Sequence, residues 1–478
     1  MEVLRRDTAG SRRVPGKDVT RLSKIREAGA RTARQAQRAG RAFASNFNPL
    51  RERNLRIYLS GQAVSLMGTW MQNTAQSWVV WELSRSEAAL GLVAMIGSLP
   101  LLILSPWTGV WADRLNRRRV LIGTQTMAML LAFTLALLVQ THTVQLWHVY
   151  ALAFGLGIVG TLDFPSQQAF IGDLAGLTHV RQAVVVNAMI VQLSRMLGPS
   201  LAGWVVGTLG TAPAFWVNGA SFLAVIGSLL AVRSHQVTRR HEGGGLSEFA
   251  EGLRFIAGRP RIQDLLAFTF LFTLFGISNM QLMPAIATDV LGRGPEALGL
   301  LLGASGAGAL VSALIVVPIG QRLKHTGLML AVAVAWSGAA FLMFSFSRYF
   351  PLSVATLFLT GLTGPLVLTT ANGLIQTLAP VHMRARIIST WLMVGFGMQP
   401  LAGLLVGTTG KLFGASVAVS INALAMLTGA LALVLFRPGL REWSASLTAP
   451  PPAAGPPTGP AGREGPSGTA IDPTPAGS

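Results

Sequence analysis

Apolar residues in this chain run on for twenty or more positions at a time, broken by short polar stretches. Helix rises 1.5 Å per residue, so about twenty such residues cross the roughly 30 Å hydrocarbon core of a bilayer. The pattern predicts spans at 57–81, 88–111, 119–140, 146–170, 183–208, 213–232, 263–290, 297–320, 327–346, 351–378, 386–409 and 414–436. An even number of spans puts both termini on one side. The fold class is therefore an all-α, polytopic membrane protein of twelve helices. It is organised as a tail (1–55), a six-helix half (56–233), a loop (234–261), a second six-helix half (262–437) and a second tail (438–478).

The loops set the orientation. Arg114, Arg117, Arg118 and Arg119 lie between spans 2 and 3, and Arg233, Arg239, Arg240, Arg254, Arg259 and Arg261 between spans 6 and 7. Arg322 and Lys324 follow span 8, and Arg384 and Arg386 follow span 10. The opposite loops hold only Arg85, Arg293, Arg348 and Lys411, mixed with acids. Basic loops stay in the cytoplasm, so both termini and the central loop are placed there and the protein in the cytoplasmic membrane. Within that loop, 247–258 has the apolar face of a helix lying on the membrane surface.

A repeat divides the spans. LAGWVVGTLG at 201–210 returns as LAGLLVGTTG at 401–410, identical at seven of ten positions. Each copy closes one span and leads into another, which carries Asn218 in the first half and Asn422 in the second. Six spans followed by six, joined by a long loop, form a parallel repeat with a cavity between halves that rock against each other. An enzyme or a receptor has no need of this symmetry.

Composition narrows the classes further. Of 478 residues, 51% are hydrophobic and only 12% charged, about half the usual share of charge. The net charge of +19 suggests nucleic acid at first sight. Residues 1–56, however, hold fifteen Arg and Lys against five acids, and the rest follows the cytoplasmic loop bias, so no nucleic-acid partner is expected. No signal peptide is expected either, because no apolar stretch follows the basic start. The segment 21–44 reads equally as a basic helix on anionic lipid or as a disordered tail, and the Pro/Gly/Ala-rich end from Thr448 as disordered. Cysteine is absent, and the seven histidines show no metal-ligand spacing. Neither a nucleotide-binding loop nor a nucleophile–base set is visible, so no cofactor and no enzymatic activity are expected.

Candidate chemistry lies inside the spans. Gln62, Ser65, Thr69, Gln72, Asn73 and Gln76 share an arc of about 100° on span 1. A polar stripe facing lipid is costly, so these residues either wall a substrate cavity or bond between helices. Trp70 and Trp78 flank the stripe and can stack on an aromatic substrate or serve as core. Thr369, Asn372, Gly373 and Gln376 in span 10, Asn279 and Gln281 in span 7 and Gln399 in span 11 are weaker candidates for the same cavity. Only Asp163 and Arg195 are ionisable well inside spans, and such residues are functional candidates by default. Three readings of Asp163 stand side by side: a proton carrier, an ion pair with Arg195 across roughly 6 Å of depth, or a gate with Arg114 or Arg117. Gly198-Pro199 should bend span 5 or free a carbonyl, and Gly203 and Gly207 give it a face for close packing.

These residues carry a resemblance. Gly109-x-x-x-Asp113-Arg114-x-Asn116-Arg117-Arg118 resembles the signature loop of the major facilitator superfamily, with Asn116 where glycine is usual. Arg195-x-x-Gly198-Pro199-x-x-Ala202-Gly203 resembles the antiporter motif of its drug exporters. Together with Asp163-x-Pro165-x-x-Gln168, SEFAEGLRFIAGRP (247–260) and Met383-Arg384-Ala385-Arg386, they are similar to the branch containing the enterobactin exporter and macrolide-efflux proteins. The likeness covers about 50–440. It implies a major facilitator fold, Gly109, Asp113, Arg114, Arg117 and Arg118 as a gating loop, and outward transport. The expected function is export of a drug-like or siderophore-like small molecule by alternating access, driven by protons, from a monomer in the bilayer. A facilitator or importer of a lipid or metabolite is the rival, and a membrane receptor the rival from another class.

Overall fold

The computed structural model describes residues 48–440 except 115, 233–245, 322, 324, 381–382 and 438. The basic segment 21–44 and the proline-rich end fall outside the described residues. In chain order the long helices are α1 (Arg53–Ser84), α2 (Glu87–Arg114), α3 (Arg117–Gln140), α4 (Leu146–Gly176), α5 (Thr178–Leu209) and α6 (Ala212–Ala231). A short surface helix α7 (Leu246–Ala257) precedes α8 (Pro260–Val290), α9 (Pro295–Gly320), α10 (Thr326–Phe346), α11 (Phe350–Leu378), α12 (Arg386–Phe413) and α13 (Ala415–Phe436). No strand occurs among the described residues.

Eleven of these helices are long and apolar enough to cross a membrane. The twelfth, α1, has 32 residues and ample length, but its polar stripe dilutes its apolar content. The expected spans are met within a few residues, with one difference. The stretch 171–182, expected to link spans 4 and 5, is helical on both sides of a single turn at Gly176, whose φ of 65° suits glycine.

Local chemistry explains several ends. Asn116, the departure from the family loop, caps α3: its side-chain oxygen accepts from the Arg119 N–H at 3.1 Å. Arg118 donates to the Leu229 and Leu230 carbonyls at 2.6 and 2.8 Å, satisfying the end of α6. α5 and α12 both finish at a glycine with φ of 84°, Gly210 and Gly414. The repeated decapeptide ends at Gly410, so α12 continues one further turn, Lys411 to Gly414, before its glycine.

The halves are built alike. Within the first, Gly61 and Gly68 of α1 lie against Ser228 and Ser221 of α6, and Asn218 donates to Gln72 at 2.6 Å. Within the second, Asn422 of α13 donates to Asn279 of α8 at 2.7 Å. Each half thus closes its first and last helices with one buried amide pair.

Between the halves, glycine faces glycine. Gly203 of α5 meets Gly299 of α9, with Gly303 and Gly306 of α9 against Ser200 and the Arg195–Met196 backbone. Gly91 of α2 meets Gly403 and Gly407 of α12. Small residues let helix backbones approach closely where lipid gives no hydrophobic drive. Glu296 lies over Gly207 and Glu87 over Gly410, so both seams reach the end of the bundle where α1 stops and α2 begins.

The halves differ in regularity. α4 and α5 run helically through Pro165 and Pro199, with Gly176 their one non-helical residue. Helical dihedral angles thus continue through Gly198-Pro199. Gly198 admits the Trp70 Cβ and the α1 backbone at Met67 and Met71. In the second half α8 contains wide turns at Phe272–Gly276 and Ile286–Val290, and α9 one at Ser312–Val316. Helical bonding is interrupted at 362–363 in α11 and 396–398 in α12, just before Pro365 and Pro400.

Candidate functional site

Asp163 sits in the middle of α4, close to α3. Its Oδ1 accepts from Thr124 Oγ1 at 2.6 Å and Gln125 Nε2 at 2.9 Å, and its Oδ2 from Gln167 Nε2 at 2.7 Å. All three donors are neutral. Among the described residues no cation pairs with Asp163. The ion pair with Arg195 is not formed: the Arg195 guanidinium lies 5.6 Å from the centre of the Trp70 ring. With α4 and α5 meeting at Gly176, Arg195 stands six residues deeper than Asp163, a gap of roughly 9 Å rather than 6.

The gate reading through Arg117 also finds another partner. Arg117 binds Asp173 with one nitrogen at 2.8 and 2.7 Å from the two carboxylate oxygens. This pair ties the start of α3 to the C-terminal end of α4. The Gly109, Asp113 and Arg114 side chains lie outside the described residues.

The stripe on α1 divides. Ser65 and Gln72 turn toward α6 and are buried, and Gln62 is buried as well. Gln72 serves the amide pair with Asn218, which is the interhelical reading of that residue. Asn73 is exposed and Thr69 and Gln76 are half-buried, so this edge borders open space. Trp70 is half-buried beside it, whereas Trp78 is core and donates to Glu82 at 2.7 Å.

The second half repeats that division. Asn279 is fully buried in its pair with Asn422 and lines no open space. Gln281 and Gln399 are half-buried. On α11, Thr369, Gly373 and Gln376 are exposed and Asn372 half-buried, with Gln376 donating to Asn372 at 3.1 Å. Opposite, α4 exposes Gly160, Phe164 and Gln168. The Phe164 and Phe396 rings stand 6.3 Å apart at mid-span. Polar groups left open at this depth border water rather than lipid. The exposed positions of α4 and α11 thus border a polar space between the halves, while the glycine seams join the halves toward the C-terminal ends of α5 and α12.

Four residues at the site escaped sequence reasoning: Thr124, Gln125, Gln167 and Asp173. Gln167 was within reach, one helical turn after Asp163. Thr124 and Gln125 are neutral residues in an apolar span and give no signal without knowing which helix faces α4. Asp173 falls in the stretch expected to be a loop.

Among the described residues, twelve long helices in two like halves, joined face to face by glycine seams around a polar space, define a transporter of the major facilitator superfamily. More narrowly, the family model described as transmembrane secretion effector matches residues 44–458, and the chain belongs to that family. It is 27% identical to the multidrug efflux pump Tap of Mycolicibacterium fortuitum over 395 residues, 78% of this chain and 93% of that one. The enterobactin exporter EntS of Citrobacter koseri is 23% identical over 366 residues, 76% of this chain and 85% of that one. Among solved structures, the nucleoside transporter NupG superposes with a TM-score of 0.61 at 14% identity, covering 81% of this chain and 99% of that one. This last likeness concerns the fold.

Proposed function

We propose that this transporter exports a small molecule, drug-like or siderophore-like, from the cytoplasm in exchange for protons. The observation that carries the reading is Asp163, a mid-membrane carboxylate held by three neutral donors and, among the described residues, by no cation. Three donors occupy three of the four lone-pair sites of the carboxylate, two on Oδ1 and one on Oδ2. The fourth, on Oδ2, is left for a proton, so the group can load and release one while α3 and α4 stay packed. Arg195, set on Trp70 where α5 packs on α1, offers an anionic or aromatic part of the substrate a surface, so a proton and a substrate can occupy separate groups of one half.

Direction follows from the basic loops, which favour cytoplasmic termini. With that orientation the glycine seams join the halves toward the outer face, as in the loading state of an exporter. The names of Tap and EntS point the same way. Closing the inner end and parting the glycine seams would then release the substrate outside.

Transport into inside-out vesicles tests the proposal. Uptake should need an acid interior and stop when the pH gradient is collapsed. In Asp163→Asn, gradient-driven uptake should vanish while substrate exchange across the membrane persists. Uptake that ignores the gradient would instead make the protein a facilitator. Screening compounds for accumulation in cells with and without the gene identifies the substrate.

A further inference from the structure

A second site lies away from the central space, where α8 begins and α11 and α13 end. It is a cavity of about 690 Å³, whose lining includes Arg259, Arg261, Asp264, Leu378, Phe436 and Arg437. Its walls are held in place. Gln263 donates to the Ile256 and Ala257 carbonyls at 3.1 and 2.7 Å, fixing the end of α7 onto α8. Its Oε1 accepts from Arg437 at 3.2 Å, and Arg437 also stands 3.5 Å from the buried Asp264 carboxylate. Asp264 is thus matched by Arg437. Arg259 rests 4.4 Å from the centre of the Phe255 ring, and both Arg259 and Arg261 are exposed. Among the described residues neither is paired with a carboxylate.

Two unmatched guanidinium groups therefore face a cavity placed where the apolar spans α8 and α13 stop. That level is the headgroup layer of the bilayer. One wall, Phe436, is 82% exposed on the outer surface of α13, at the level where lipid chains begin. We propose that this cavity binds the headgroup of an anionic phospholipid, Arg259 and Arg261 contacting its phosphate and the acyl chains lying along α13 past Phe436. Basic pockets between helix ends are suited to such headgroups, and guanidinium forks match phosphate oxygens in pairs. A soluble anion would use the arginines but not the apolar exit. The bound lipid would bridge α7, α8, α11 and α13 at the point where the central loop enters the second half. This inference does not depend on the direction of transport or on proton coupling.

Native mass spectrometry of the full chain, titrated with phosphatidylglycerol or phosphatidylcholine, tests it. The wild type should retain one phosphatidylglycerol in preference to phosphatidylcholine, and millimolar inorganic phosphate should not displace it. Arg259→Gln with Arg261→Gln should weaken that binding roughly thirty-fold, and Arg261→Gln alone about five-fold. The paired Arg→Lys variant should retain most of it, and Arg348→Gln, at the opposite end, should change nothing. Size-exclusion elution and thermal unfolding show whether each variant is folded, and Arg261→Gln carries the test if the double variant is not. Equal retention of phosphatidylcholine, ready displacement by inorganic phosphate, or wild-type affinity in a folded Arg261→Gln would each overturn the proposal.

Discussion

The two halves share an architecture and divide the chemistry. The first is regular and charged: α4 and α5 stay helical through their prolines and carry Asp163 and Arg195 mid-membrane. The second is irregular and has no ionisable group at that depth among the described residues, but α8, α9, α11 and α12 contain wide turns or breaks. Wide turns and proline breaks loosen the hydrogen-bond ladder and often mark places where helices move. A buried charge needs the opposite, a fixed set of donors. The difference suggests a stiff half that holds the ion and a pliant half that changes shape around it.

That comparison can be broken in several ways. The largest effect should come from Asp163→Asn, which is expected to reduce gradient-driven transport to background in vesicles, with normal amounts of protein in the membrane. The second half offers no position with an equal effect if coupling belongs to the first. Next in size are the seams. Gly91→Ala and Gly299→Ala each place a methyl group against facing backbone, at Gly403 in one case and Pro199 and Gly203 in the other. Each should cost about 1–3 kcal/mol, read as a lowered Tm and as crosslinking at the seams that falls by similar amounts. Unequal losses would show that one seam bears more of the closure.

Smaller effects are expected from the amide pairs. Asn218→Ala and Asn422→Ala should each lower stability by about 0.6 to 1.7 kcal/mol in thermal unfolding, with little change in substrate affinity. A large loss of affinity from either would return Gln72 or Asn279 to the cavity. Smallest in stability are the prolines. Pro365→Ala and Pro400→Ala should slow or speed transport a few-fold, while Pro165→Ala leaves the rate unchanged. A rate change confined to Pro165→Ala would reverse the assignment of stiff and pliant halves.

The spans were legible because an apolar run of bilayer length has few other uses, and even α1 declares itself by its length and stripe. Asp163 and Arg195 were legible because charge is rare at that depth. What the stripe could not reveal was its own division. Gln72 and Asn73 are neighbours in sequence, yet one is bonded to Asn218 and the other is exposed. Bonding and water-facing positions both demand polar residues, and only the position of α6 separates them. The same blindness hid Thr124 and Gln125, whose role depends on a helix thirty-nine and thirty-eight residues away. At Gly198-Pro199 the backbone keeps helical angles and the glycine admits α1, an approach that only the position of α1 reveals.

The additional turn from Lys411 to Gly414 has a consequence for how the protein sits in lipid. Four residues lengthen α12 by about 6 Å while rotating it only about 40° beyond a full turn, so the seam face is nearly kept. Leu412 and Phe413 on that turn are 73% and 59% exposed, so its added surface is apolar apart from the exposed Lys411. The second half therefore reaches farther than the first at that end of the bundle. Mismatch with the lipid is relieved by tilt or by local thickening of the bilayer. Bilayer thickness then becomes a variable that favours one rocking position over another, and acyl-chain length a means of changing transport rate without touching the protein.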